Sequence, residues 1–205
     1  MTVQAKKLTQ NELDVMLRKH YGYLQRRIDA GFRNPGDGGV SVLCLDSFNL
    51  SGLDFSNRHL TFSSFERSDL TGCNFEGSNL IASCFTDADC TRTNFSYANL
   101  VDSDFRGANL CNTNFGFATL AGVEFETAEL QNVNLTDAKL AGLELDFINL
   151  TGFKLRGHEL LELTSFIECV VPIWMLPFLC CHPDFGDFLD GLEIVDDSGV
   201  FGKES

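Results

Sequence analysis

At 205 residues, 44% of them hydrophobic, the chain is long enough for one or two domains with a substantial core. A formal net charge of −14 excludes general attachment to a nucleic-acid backbone, which is driven by positive charge that releases counterions. The acid is uneven: residues 1–39 carry +3, residues 40–160 carry −9 and residues 161–205 carry −8.

Residues 1–39 read as an N-terminal arm. The first seven residues are expected to be disordered, and no apolar stretch follows them, so no signal peptide is expected. Thr9 followed by Glu12 forms a capping box, with Leu8 and Leu13 placed as its hydrophobic staple. Leu13, Leu17, Leu24 and Ile28 mark one helical face, with Met16 beside it, and Gly31 is a natural stop. This predicts a helix over 10–29 that folds back to cap the next domain. Arg18, Lys19, Arg26 and Arg27 fall on its solvated face. Residues 31–39, with Pro35 and four glycines, make a loop.

Residues 40–160 are a repeat array. Every fifth residue from Leu45 to Leu160 is Leu or Phe, with Cys90 the one departure. Neither a helix nor a flat strand has period five, so the pattern is that of a solenoid. Two places before each of these positions, from Ser63 to Ala138, the residue is always small or β-branched. The two share a parity and point inward together. The polar residue between them, often Asn or Asp, suits a chain turn. Leu43, Phe48 and Leu53 enlarge the small site at the start, and Leu143, Ile148 and Phe153 do so at the end. That reads as capping of end coils, so the array is expected to stop near 160 rather than to be part of a longer rod.

The runs Asp69 to Cys73, Ala98 to Asp102 and Ala108 to Asn112 resemble the pentapeptide-repeat family. That resemblance implies an all-β solenoid, a right-handed four-sided β-helix with four repeats per coil. Residues 12–24 resemble the N-terminal helix that precedes the repeats in some bacterial and phage members. The sequence supports four sides independently. Leu and Phe alternate at the central site between 50 and 130 except at Cys90, so a twenty-residue coil stacks Phe on Phe, as at 55, 75, 95 and 115. About six coils at ~4.8 Å each make a rod of about 29 Å.

Residues 161–205 read as a C-terminal cap or dimer segment with an acidic tail. A helical pattern over 158–169 leads into an apolar run with Pro172 and Pro177, which is too short for a membrane span of about 20 residues. Trp174, Met175, Leu176 and Phe178 are its anchors, as a cap over the last coil or as a homodimer interface within 165–181. The tail from 183 is expected to be ordered only through Phe185, Phe188, Leu189 and Leu192.

No catalytic motif is found, and no enzyme activity, cofactor or metal is expected. Cys180, Cys181 and His182 lie together but read as a buried apolar group rather than a metal site. The eight cysteines lack framework spacing and read as reduced residues in a cytoplasmic protein. Function is therefore sought on the walls. One wall gathers Asp46, Glu66, Asp87, Asp104, Glu124, Glu126, Glu144 and Asp146 against Arg67 and Arg106. The wall centred on 60, 80 and 100 is nearly uncharged and carries Phe62, Ile81 and Val101. A third wall stacks Tyr97 under Phe117, both outward. The chain reads as a non-catalytic rod that binds a protein partner through these walls. The alternative is an acidic DNA mimic that inhibits or protects a DNA-binding enzyme. The family resemblance implies DNA gyrase or topoisomerase IV for that role, with a host defence nuclease the other target class. The chain lacks the loop insertions several such proteins carry.

Overall fold

The computed structural model describes residues 6–29, 43–143, 170–172 and 193–195. The expected disordered start, the 31–39 loop, the last coil, the helical pattern over 158–169 and nearly all of the apolar run lie outside the described residues. Helix α1 runs Gln10–Asp29, the span its periodicity predicts. Its capping box is formed: the Thr9 amide donates to Glu12 Oε2 at 2.9 Å, and the Glu12 amide donates to Thr9 Oγ1 at 3.3 Å. That contact holds the Glu12 carboxyl below its ordinary range. The two staple residues, Leu8 and Leu13, are both buried.

From Leu43 to Leu143 the chain winds as a parallel β-solenoid of twenty-residue coils. Residue 44 bridges 64, 49 bridges 69, 54 bridges 74 and 59 bridges 79, and the same four bridges recur down the rod. Each coil thus has four sides, and the described part spans about five coils. The sides meet at corners whose residue, two places after each central Leu or Phe, has φ between 53° and 77°. The polar residue before each central one builds the turn. Asn94 Oδ1, for example, accepts the Ser96 amide at 3.1 Å, and Asn114 Oδ1 accepts the Gly116 amide at 3.1 Å. These Asx turns explain why Asn and Asp recur there. On one side the asparagines also join into a ladder, Asn94 to Asn74, Asn114 to Asn94 and Asn134 to Asn114.

The interior is two phenylalanine columns facing each other between two columns of leucine. Within a column, successive rings from Phe55 to Phe115 stack at 4.5–5.2 Å and 3–15°. Between columns they meet edge to face at 5.4–6.0 Å and 85–89°. Both geometries suit the ring quadrupole. Phe125 departs, tilting 32° from Phe105 at 5.7 Å; it keeps one edge-to-face partner, Phe115 at 6.1 Å and 70°, since position 135 is Leu. Hydroxyls at the small inward site bond to carbonyls of the coil before: Ser83 Oγ donates to the Leu60 carbonyl at 2.8 Å and Thr93 Oγ1 to the Leu70 carbonyl at 2.8 Å, whereas Ser63 Oγ is buried without a partner among the described residues.

The five described cysteines are free thiols. Burial pushes the Cys73 thiol up to about 12 and the Cys90 thiol well above its ordinary value. In native protein at pH 8 a maleimide should therefore label Cys44, which is exposed, and spare Cys73 and Cys90 until denaturant is added. Mass spectrometry of the labelled peptides reads this directly, and native labelling of Cys90 would contradict the packing.

The N-terminal segment lies against the first coil. Lys7 bridges Asn49 in parallel, with the Leu8 amide donating to the Asn49 carbonyl and the Asn49 amide to the Lys6 carbonyl, both at 3.0 Å. On the next side the Gln10 side chain replaces a strand: Nε2 donates to the Asp54 carbonyl at 3.0 Å and Oε1 accepts the Asp54 amide at 2.9 Å. On the third, His20 Nε2 donates to the His59 carbonyl at 3.0 Å. Leu13 and Leu17 are buried in the same core as Leu43, Leu45 and Leu53.

Two short strands complete the described residues: β1, Val170–Pro172, pairs in parallel with β2, Glu193–Val195. The tail strand Glu193–Val195 is thus an ordered stretch besides the four anchors expected from the sequence, Phe185, Phe188, Leu189 and Leu192, which lie outside the described residues. The β-branched Ile194 and Val195 suit a strand in spite of the surrounding acid.

Candidate functional site

The coil geometry sorts the outward residues into four walls. On the acidic wall Asp46, Glu66, Asp87, Asp104, Glu124 and Glu126 are described, and Glu144 and Asp146 lie outside the described residues. The six do not present six bare charges. Arg67 pairs with Glu66 at 3.0 Å and with Asp87 at 3.7 Å, and Arg106 pairs with Asp104 at 2.7 Å and Glu124 at 3.2 Å. Partial burial alone would raise the Asp104 carboxyl, but the Arg106 hydrogen bonds outweigh it and hold it below the usual carboxylate range. Asp46 is bound to the next coil, accepting from Ser64 Oγ at 2.5 Å and the Glu66 amide at 2.9 Å. The described wall is thus a laced surface, with Glu126 its one exposed carboxylate outside these contacts.

The apolar candidates fall on one wall and its two edges. Tyr97 and Phe117 stand where the third wall meets the uncharged one. They occupy corners, with φ of 59° and 61°, that border the uncharged wall. Across that wall Ile81 and Val101 share one column, and Phe62, itself a corner at φ 61°, lies on the far edge. Phe62, Ile81 and Val101 are half-buried, whereas Tyr97 is 59% and Phe117 47% exposed. The two exposed rings stack at 4.8 Å and 2°. The neighbouring Ser96 and Gly116 are buried.

Bulky residues at positive φ are costly, since Gly, Asn and Asp fill that region with less strain. The rings also gain little from burial where they stand, although their mutual stacking recovers about 0.5–1.5 kcal/mol. Two strained aromatic corners held in solvent, beside an uncharged wall, are the feature of this surface that folding alone does not account for.

Two further exposed apolar residues were not singled out by the sequence, Val15 and Tyr21 on α1. Helical periodicity marks the buried face of α1, not which outward residue borders a cleft. Trp174, Met175, Leu176, Phe178, Cys180, Cys181 and His182 lie outside the described residues. Among the described residues no three of His, Cys, Asp and Glu gather as a metal site, and no helix is long and apolar enough to cross a membrane.

Comparison with known proteins agrees with the coil geometry. Residues 58–135 match the family model described as a pentapeptide repeat region, and residues 118–157 match that of pentapeptide repeats. Arrays of this kind are right-handed β-helices. No curated protein matches the chain. Among solved structures, a pentapeptide repeat protein from the Arabidopsis thaliana thylakoid lumen is 34% identical over 44% of this chain and 66% of its own, with a TM-score of 0.37. This chain thus spans just under two thirds of that protein's length. The plasmid-mediated fluoroquinolone resistance protein QnrB1 is 17% identical over 77% of this chain and 81% of its own, at 0.43. HetL of Nostoc sp. strain PCC 7120, involved in heterocyst differentiation regulation, is 16% identical over 88% and 98%, at 0.30.

Proposed function

We propose, for a chain whose residues 58–157 form a pentapeptide-repeat domain, a non-catalytic role as a rod that binds a protein partner. The observation that carries this reading is the exposed Tyr97–Phe117 stack at the edge of the uncharged wall. The partner docks across Tyr97, Phe117, Ile81 and Val101 and needs apolar surface of its own to cover them. In this reading residues 1–39 form an arm and capping helix. Residues 40–160 complete a β-helix of about six coils, as a solenoid with both ends covered requires. Residues 161–205 supply a C-terminal cap that pairs two copies through Trp174, Met175, Leu176 and Phe178. The protein acts in the cytoplasm, where its cysteines stay reduced.

The second reading, an acidic DNA mimic acting on gyrase, topoisomerase IV or a defence nuclease, is favoured by the gathering of six carboxylates on one wall. Set against the two arginines they leave about one net charge per 5 Å of rod, where duplex DNA has one per about 1.7 Å. Charge alone therefore does not make this wall a duplex surrogate.

One experiment separates the two. Tyr97→Asn and Phe117→Asn together suit the positive φ, so the melting temperature should stay within a few degrees of the native one while capture of the partner from source-cell lysate is lost. Retention of the native protein's partner should survive 0.5 M salt if apolar contact dominates, this salt level being about 4 Å of screening length. Steep loss with salt, together with loss on Asp87→Lys, Glu124→Lys and Glu126→Lys, would transfer the function to the acidic wall.

A further inference from the structure

A cleft of about 390 Å³ opens between α1 and the first described coil, on the opposite end of the rod from Phe117. Its lining is Asp14, Leu17, Arg18, His20 and Tyr21 from the helix, and Asn57, Arg58 and His59 from the coil. Leu17 and His20 are buried and form its floor, and His20 is fixed there by its hydrogen bond to the His59 carbonyl. Tyr21, 57% exposed, stands at the lip.

The chemistry of this lining is unlike that of the rest of the chain. Two arginines, Arg18 and Arg58, line it from separate elements, together with His59, Tyr21 and Asn57. Asp14 is the single carboxylate. It holds Arg58 at 3.8 Å, much looser than the 2.7 Å and 3.2 Å pairs that Arg106 makes on the acidic wall. Arg18 makes no ion pair among the described residues. In a protein of net charge −14 a donor-rich cleft with loosely paired arginines is not explained as surface neutralisation. Paired arginines suit the oxygens of a phosphate, and an apolar floor with an aromatic lip suits a planar body. The volume lies in the range of small-molecule sites.

We propose that this cleft binds a small phosphate monoester with a planar body, of the nucleoside monophosphate kind. The phosphate sits between Arg18 and Arg58, and the base lies over Leu17 against Tyr21. The coil residues 57–59 lie at the first-coil end of the wall centred on 60, two coils from Tyr97, and no residue of the cleft is among those placed in the partner-binding role.

Isothermal titration of the full chain with AMP, inorganic phosphate and adenosine tests it. AMP should bind at least tenfold more tightly than phosphate, and adenosine more weakly than either. Arg18→Gln with Arg58→Gln should weaken AMP tenfold or more, Tyr21→Ala should weaken AMP and leave phosphate unchanged, and Asp14→Asn should tighten both severalfold. Arg18, Arg58 and Tyr21 are exposed, so unchanged circular dichroism is expected for these variants. Absence of AMP binding at millimolar concentration overturns the proposal. So does AMP binding that the double arginine variant leaves intact, and so does equal affinity for AMP and phosphate.

Discussion

Phe95→Ala is expected to lower the stability of the rod by about 3–5 kcal/mol, the range for emptying a buried aromatic site. Phe95 is fully buried in the middle of its column. It stacks on Phe75 at 5.0 Å and on Phe115 at 5.2 Å, and it meets Phe85 and Phe105 edge to face at 5.4 Å and 5.6 Å. One truncation therefore damages two coil interfaces and two cross-column contacts. The cavity has little chance to collapse, because each coil is held at a fixed rise by backbone bonds such as Phe95 to Asn114 at 2.7 Å and Asn94 to Cys73 at 2.9 Å. Denaturant unfolding followed by circular dichroism measures the loss. Phe125→Ala should cost less, since Phe125 is already tilted and has lost one edge-to-face neighbour. Equal losses at 95 and 125 would mean that ring stacking contributes little beyond apolar burial.

Those columns are also the part of the fold most legible in the sequence. A central Leu or Phe every five residues cannot keep phase with a helix, and the alternation of the two demands an even number of sides. The Asn and Asp residues ahead of each central site were equally readable, because their turn chemistry is local. What escaped the sequence is whatever depends on two distant segments meeting. Gln10 is an ordinary helix-start residue until Asp54 lies beside it, and nothing in its neighbours marks it as a surrogate strand. The cleft joins residues 14–21 to 57–59, which no spacing rule connects. Tyr97 and Phe117 were visible as outward aromatics, but their place on the edge of the uncharged wall rests on which residue turns the corner. On the acidic wall the charges could be counted from the sequence, while the bridging by Arg67 and Arg106 that offsets them could not.

The second large effect should come from Leu13→Asp. Leu13 is fully buried between α1 and the solenoid, and an aspartate there is an unpaired carboxylate in an apolar site. Even the loss of the leucine contacts costs about 2–5 kcal/mol, and the buried charge adds to it. The helix can escape that cost by leaving the coil, since the Phe columns do not depend on it and solenoid coils contact chiefly their neighbours. Departure removes Lys6, Lys7, Gln10 and His20 from the first coil together. It leaves the amides of Asn49 and Asp54 and the carbonyl of His59 as an open parallel edge. An uncovered β edge pairs with whatever chain is available, which at high protein concentration is a second copy. The variant should therefore keep its β circular dichroism while light scattering shows concentration-dependent oligomers larger than the native species. Hydrogen exchange should speed up at Asn49 and Asp54 and stay slow at Phe95 and Leu100. Gln10→Ala, which removes two hydrogen bonds and keeps the helix seated, should raise exchange at Asp54 alone, by about tenfold if the pair is worth ~1.4 kcal/mol. If Leu13→Asp instead speeds exchange along the whole rod, α1 is part of one cooperative unit with the columns, and the picture of a detachable end cover is wrong.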